Sequence, residues 1–105
     1  MKFCQVWLSC ADDKEADSIA SVLLGKHLVA CAKKFPVQSK FHWQGSIDTS
    51  DEVLLIMESA EELFDKIEAE VAKLHSYETF VLQAIPITKI SQKAQEWLIQ
   101  SVGRA

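Results

Sequence analysis

The chain has 105 residues, 49% of them apolar and 25% charged, with a net charge of −4 and a pI near 5.3. This fits a single globular domain over residues 1–105, large enough for one sheet packed on two or three helices, and excludes a disordered chain. The acidic balance, with Arg104 the only arginine, argues against nucleic acid as a partner, because such a surface repels phosphate.

Phe3 to Cys10 alternates with the period of a strand, Cys4, Val6, Leu8 and Cys10 on one side. Its apolar run is interrupted at Gln5 and meets Asp12 and Asp13, which is not a signal-peptide pattern. Asp12 or Asp13 is placed to cap a helix whose stripe is Ala16, Ile19, Ala20 and Leu23, with Gly25 as the left-handed terminator. Leu28 to Gln44 reads as one long, bent strand broken or bulged at Pro36, which has no amide to donate. A turn at Gln44-Gly45-Ser46 leads into a buried strand around Val53-Leu54-Leu55-Ile56-Met57. Residues 28–58 thus form a hairpin longer than a domain this size needs, with arms that reach beyond one monomer.

Ser59-Ala60-Glu61-Glu62 matches a capping box for a helix that turns Leu63, Ile67, Val71 and Leu74 inward. A loop, His75-Ser76-Tyr77-Glu78, separates it from a strand over residues 80–87. Ser91 is placed to cap a last helix carrying Ala94, Trp97 and Leu98. The order β-α-β-β-α-β plus a C-terminal helix predicts an α+β, ferredoxin-like antiparallel sheet with its helices on one face. That architecture alone assigns no function.

Several chemistries lack their residues. The glycines are isolated, so no phosphate-cradling loop exists, and three scattered cysteines cannot hold an iron–sulfur cluster in one chain. The chain has no asparagine, which removes an acylphosphatase-type Arg–Asn site. Phe3 and Trp7 have no basic neighbours of the kind that RNA-reading sheets use. An odd cysteine count and no stretch near ~20 apolar residues point to a reducing cytoplasm and no membrane span.

Three features carry possible chemistry. Cys10, ending the first strand, is either a small buried residue or a soft ligand for copper. His75, with Tyr77 and Glu78, is either a helix-end dipole partner or part of a metal or anion site that needs a residue from elsewhere. Phe41-His42-Trp43 beside the turn reads as an interface anchor. A Cys31 or Cys10 nucleophile with His75 as base would need an orienting acid, and only Glu78 is at hand, so the residues favour a binding protein over an enzyme.

Together these blocks acquire a family likeness. Leu28-Val29-Ala30-Cys31-Ala32, Pro36, Phe41-His42-Trp43-Gln44-Gly45, Asp51-Glu52-Val53-Leu54-Leu55-Ile56, Leu74-His75-Ser76-Tyr77-Glu78 and Ala84-Ile85-Pro86-Ile87 resemble the CutA divalent-cation tolerance family. The resemblance implies a ferredoxin-like homotrimer joined by long hairpins, a role in divalent-metal tolerance, and copper binding in some members. Its copper ligands would fall at Cys10, Leu74 and His75. Leu74 cannot ligate, so Glu78, Tyr77, water or a neighbouring subunit would have to complete the set. The family's inter-subunit cleft implies Cys31, Trp43, His75, Tyr77 and Glu78 as lining residues. Ser76 and Phe80 stand where the family usually has prolines, which implies a less stiff loop. A second reading is a trimeric signalling or scaffold protein that senses a small metabolite, its metal link incidental.

Overall fold

A computed structural model describes residues 1–103, and Arg104 lies outside the described residues. The elements are β1 (Phe3–Cys10), α1 (Asp13–Gly25), β2 (Cys31–Trp43), β3 (Ser46–Ala60), a 3₁₀ turn (Glu61–Leu63), α2 (Phe64–Leu74), β4 (Leu82–Pro86) and α3 (Gln92–Val102). The strands form one sheet in the order β2-β3-β1-β4, and every neighbouring pair is antiparallel. This is the α+β, ferredoxin-like arrangement that the sequence predicts.

The strand period decides which residues meet the helices. Val6 lies opposite Met57, Leu8 opposite Leu55 and Cys10 opposite Val53, and all six are buried. Against them pack Ala16, Ile19 and Leu23 of α1, Ile67 and Val71 of α2, and Leu98 and Val102 of α3. All three helices therefore cover the same face. Leu8 and Ile67 are fully buried, and truncating either to Ala costs roughly 2–5 kcal/mol in lost transfer energy and cavity formation.

The other face of the sheet carries no helix. Trp7, Phe35, Leu54, Ile56 and Ile85 fall on it by register, since Trp7 pairs with Ile56 and Phe35 with Leu54. Phe35 and Ile85 are exposed, and the other three are half-buried. The distal half of the β2–β3 hairpin projects away from the body. No residue from Gln38 to Ser50 is buried, and the molecule measures 45 × 26 × 21 Å.

Several local expectations are corrected. The residues before Cys31 are not part of the strand: β2 begins there and ends at Trp43. Pro36 makes no break, for the β2–β3 register runs one-to-one through Pro36 and Val53. An edge strand tolerates a residue with no amide to donate. Gly25 is the last helical residue of α1, and the left-handed position is taken by His27 at φ 58°. The His27 ring lies 3.1 Å from the Ser101 carbonyl, a tertiary contact that offsets this conformation.

The Ser59 capping box does not form. Strand β3 runs on to Ala60, and the buried Ser59 hydroxyl donates to the Leu28 carbonyl at 2.6 Å. Glu62 instead accepts from the Lys2 amide. Leu74 is 37% exposed and does not join the core. Strand β4 is shorter than the predicted 80–87, and Ser91 sits at the α3 N-cap without making a side-chain capping bond.

Candidate functional site

Strand β1 ends at Cys10, and the chain turns at once into α1. Asp12 stops the extended run, its carboxylate accepting the Glu15 amide at 2.9 Å. That cap aims the first turn of α1, and Glu15 with it, back over the strand end. From the other side α2 finishes at Leu74, and His75 leaves it in an extended conformation that drops the imidazole onto the same spot. Cys10, Glu15 and His75 thus bring ligand atoms within 4.8 Å of one another from three separate segments.

The group is tightly wired. The His75 side chain is fully buried although its backbone is partly exposed. The Tyr77 amide donates to His75 Nδ1 at 3.0 Å, so that nitrogen carries no proton, and Nε2–H donates to the Ser9 carbonyl at 2.8 Å. Phe80 stacks on the imidazole with ring centroids 5.3 Å apart. Glu15 Oε1 accepts the Ala11 amide at 2.9 Å and lies 3.6 Å from His75 Nδ1, while Oε2 accepts the Ser76 amide at 2.8 Å. Burial pushes the Glu15 carboxyl up, but these amides and the nearby imidazole outweigh it and hold it below the ordinary carboxylate range. Burial, with the Glu15, Glu52 and Asp12 carboxylates, pushes the Cys10 thiol up to about 12.

Thiolate and imidazole suit late transition metals, whereas a carboxylate suits harder cations. In type the thiol and imidazole fit a copper-class cation, but in free lone pairs the set fits less well. Glu15 has acceptor capacity left beside its two amides. The Cys10 thiol must lose its proton to bind. Both His75 nitrogens are engaged, so a cation has to displace either the Tyr77 amide or the Ser9 carbonyl.

Of the residues singled out from sequence, Cys10 and His75 come together. The third ligand-type side chain within 4.8 Å of both is Glu15, and Tyr77 and Glu78 are not in that group. The sequence signal for Glu15 is the Asp12-Asp13-Lys14-Glu15 run, in which an acid three residues after the cap reaches back to the preceding backbone. Tyr77 packs 4.9 Å from the His75 ring and donates its hydroxyl to Glu52 Oε2 at 3.0 Å. Trp43, Tyr77 and Glu78 line one cleft of about 600 Å³ between the hairpin and the loop after α2. Cys31 stands at the opposite end of β2, where Lys33 Nζ approaches its sulfur at 3.5 Å and Glu58 at 3.4 Å.

The protein is thus a ferredoxin-like sheet with an outsized hairpin and a Cys–Glu–His group at the end of β1. Comparisons with known proteins agree. The family profile described as CutA1 divalent ion tolerance protein matches residues 4–101. The divalent-cation tolerance protein CutA of Archaeoglobus fulgidus is 34% identical over 97 residues, covering 92% of this chain and 95% of that protein. Its Thermotoga maritima counterpart is 30% identical, covering 92% and 96%. The solved structure of the periplasmic divalent cation tolerance protein CutA from A. fulgidus superposes with a TM-score of 0.93 at 33% identity, covering 95% of this chain and 98% of that one. CutA1 from Oryza sativa also reaches 0.93, at 27% identity with 96% and 94% covered. The chain belongs to the CutA1 divalent ion tolerance family.

Proposed function

We propose that the chain serves divalent-cation tolerance as a homotrimer that binds copper at Cys10, Glu15 and His75. The observation that carries the cation reading is the convergence of those three donors from separate segments. Uptake is coupled to the loop after α2, because His75 has to surrender one of its two hydrogen bonds. The protein acts by binding and not by catalysis: a thiol pushed up to about 12 is the reverse of an activated nucleophile.

The assembly reading rests on the helix-free sheet face. A surface carrying Trp7, Phe35, Leu54, Ile56 and Ile85 gains from burial against copies of itself. The projecting hairpin supplies the arm that reaches across. Free thiols at Cys4, Cys10 and Cys31 fit a reducing compartment, the cytoplasm. Among the described residues no helix is long and apolar enough to cross a membrane.

The test is a copper titration of the purified protein beside Cys10→Ala, Glu15→Gln and His75→Ala, with native mass to count subunits. One copper per chain on a trimer, weakened at least tenfold in each variant, is the expected result. No binding tighter than millimolar in the parent protein would sink the cation reading, and a monomer at micromolar concentration would sink the assembly.

A further inference from the structure

We infer that His75 meets a bound cation through Nδ1, and that loading the site therefore expels the Tyr77 amide and unlatches Tyr77 from Glu52 at the foot of the projecting hairpin. This rests on the copper reading and adds to it the ligand atom and a moving part.

The choice between the two imidazole nitrogens follows from their hydrogen bonds. A cation takes a lone pair, and the lone pair is on Nδ1, because Nε2 carries the proton that it donates to the Ser9 carbonyl at 2.8 Å. A metal-bound imidazole ordinarily gives its other N–H to a carbonyl or carboxylate, which fixes the ring. The bond to Ser9 is of that kind and is already made, on a strand paired on both sides. Phe80 stacks on the same ring with centroids 5.3 Å apart and holds its plane. Nδ1 also faces Glu15 Oε1 at 3.6 Å. What occupies Nδ1 is the Tyr77 N–H at 3.0 Å.

That N–H belongs to the more yielding partner. Among the described residues no backbone-to-backbone hydrogen bond ties residues 76–80 to the rest of the chain, and the stretch has no proline to stiffen it. Side chains hold it instead: the Ser76 amide donates to Glu15 Oε2 at 2.8 Å, the Tyr77 amide to His75 Nδ1, and the Tyr77 hydroxyl to Glu52 Oε2 at 3.0 Å. Two of these bonds end on proposed cation ligands, so loop and cation compete for Glu15 and His75. The third ends on Glu52, opposite Val37 in the β2–β3 ladder. Tyr77 carries both the amide that must leave Nδ1 and the hydroxyl that holds Glu52, so one displacement breaks both bonds. By linkage, breaking the Tyr77–Glu52 bond in advance favours the cation.

The experiment loads the full chain with copper(I), a diamagnetic ion, in the absence of oxygen. Hydrogen exchange of the Tyr77 amide is read by nuclear magnetic resonance, and copper affinity is titrated for the parent and Tyr77→Phe. Tyr77→Phe removes the hydroxyl and keeps the ring that packs 4.9 Å from His75. Faster exchange of the Tyr77 amide in the loaded parent is expected, with copper bound about three- to tenfold tighter by Tyr77→Phe. A bond with a merely structural role would leave the affinity unchanged or lower it. Glu52→Met, which removes the acceptor, should tighten binding to the same degree and serves if Tyr77→Phe fails to fold. Copper binding that leaves the Tyr77 amide as protected as before, or more so, overturns the proposal and leaves the copper reading standing. So does an unchanged or weakened affinity in the variant. No copper bound by the parent more tightly than about millimolar overturns the two together.

Discussion

His75 accepts one hydrogen bond and donates another, and the two together fix its tautomer. The Cys4 and Cys10 thiols and the Glu15 carboxyl are shifted from their ordinary ranges, and two predictions rest on them. Cys4 is pushed up to about 11 and Cys10 to about 12, so neither holds much thiolate at neutral pH. Iodoacetamide at about pH 8, below the ordinary thiol range, should leave Cys4 and Cys10 unmodified in the native protein and alkylate both after denaturation. Mass spectrometry of the digested protein reads the result. Glu15 behaves in the opposite sense. Its folded-state carboxyl is held low, so the stability it contributes is present above the ordinary carboxylate pKa and lost as pH falls through the lower folded value. Urea midpoints measured from neutral pH down through about pH 3 should therefore show a shallower acid loss in Glu15→Gln than in the parent. Cys10 and His75 were legible as candidates because a thiol and an imidazole are scarce and chemically distinctive. Glu15 was not, since an acid in the first turn of a helix looks like any other favourable dipole partner. Glu52 was equally hidden, as nothing in a strand sequence tells which acid will be covered by a tyrosine from a distant loop.

At the scale of elements, the hairpin turn is the most demanding piece of backbone. Gln44 at φ 49° and Gly45 at φ 83° form the two-residue turn that matches the twist of β2 and β3. An added Cβ at Gly45 meets nothing within 4 Å, so Gly45→Ala has a purely conformational cost of about 1 kcal/mol. Thermal unfolding should show this as a lowering of Tm by a few degrees, with the fold unchanged. Ser59→Ala removes a 2.6 Å hydrogen bond and leaves the Leu28 carbonyl without that donor, which should cost about 1–2 kcal/mol by urea denaturation. The strands were readable because alternation at Cys4, Val6, Leu8 and Cys10 has only one meaning. The α2 start was misread because Ser59 fits two roles. A serine before a glutamate at the right spacing makes a capping box only if the strand ends first, and β3 continues to Ala60 on the strength of its pairing with Phe3. Gly25 failed as a terminator for a similar reason: the bond from the Leu28 amide to the Leu23 carbonyl sets the chain reversal two residues later.

For the whole molecule, the decisive asymmetry is a sheet with helices on one side only. Phe35 sits exposed on the edge strand of the bare face, so on the proposed homotrimer reading Phe35→Glu should shift sedimentation to smaller species while leaving the far-ultraviolet dichroism of the monomer intact. If the mass does not change, the subunits meet elsewhere. The excess hairpin length was legible in the sequence. So was the bare face, because the β-α-β-β-α-β order places the helices on one side of the sheet. The hairpin has one further effect. Thirteen residue pairs of β2 and β3 close around a two-residue turn, whereas β1 finds β3 across some fifty residues of chain. Pairs near in sequence form with little loss of loop entropy, and distant pairs wait until that loss is covered. Substitutions in the arm should therefore slow refolding, and substitutions in β4 should mainly hasten unfolding, so the projecting hairpin would be the first part of this protein to exist.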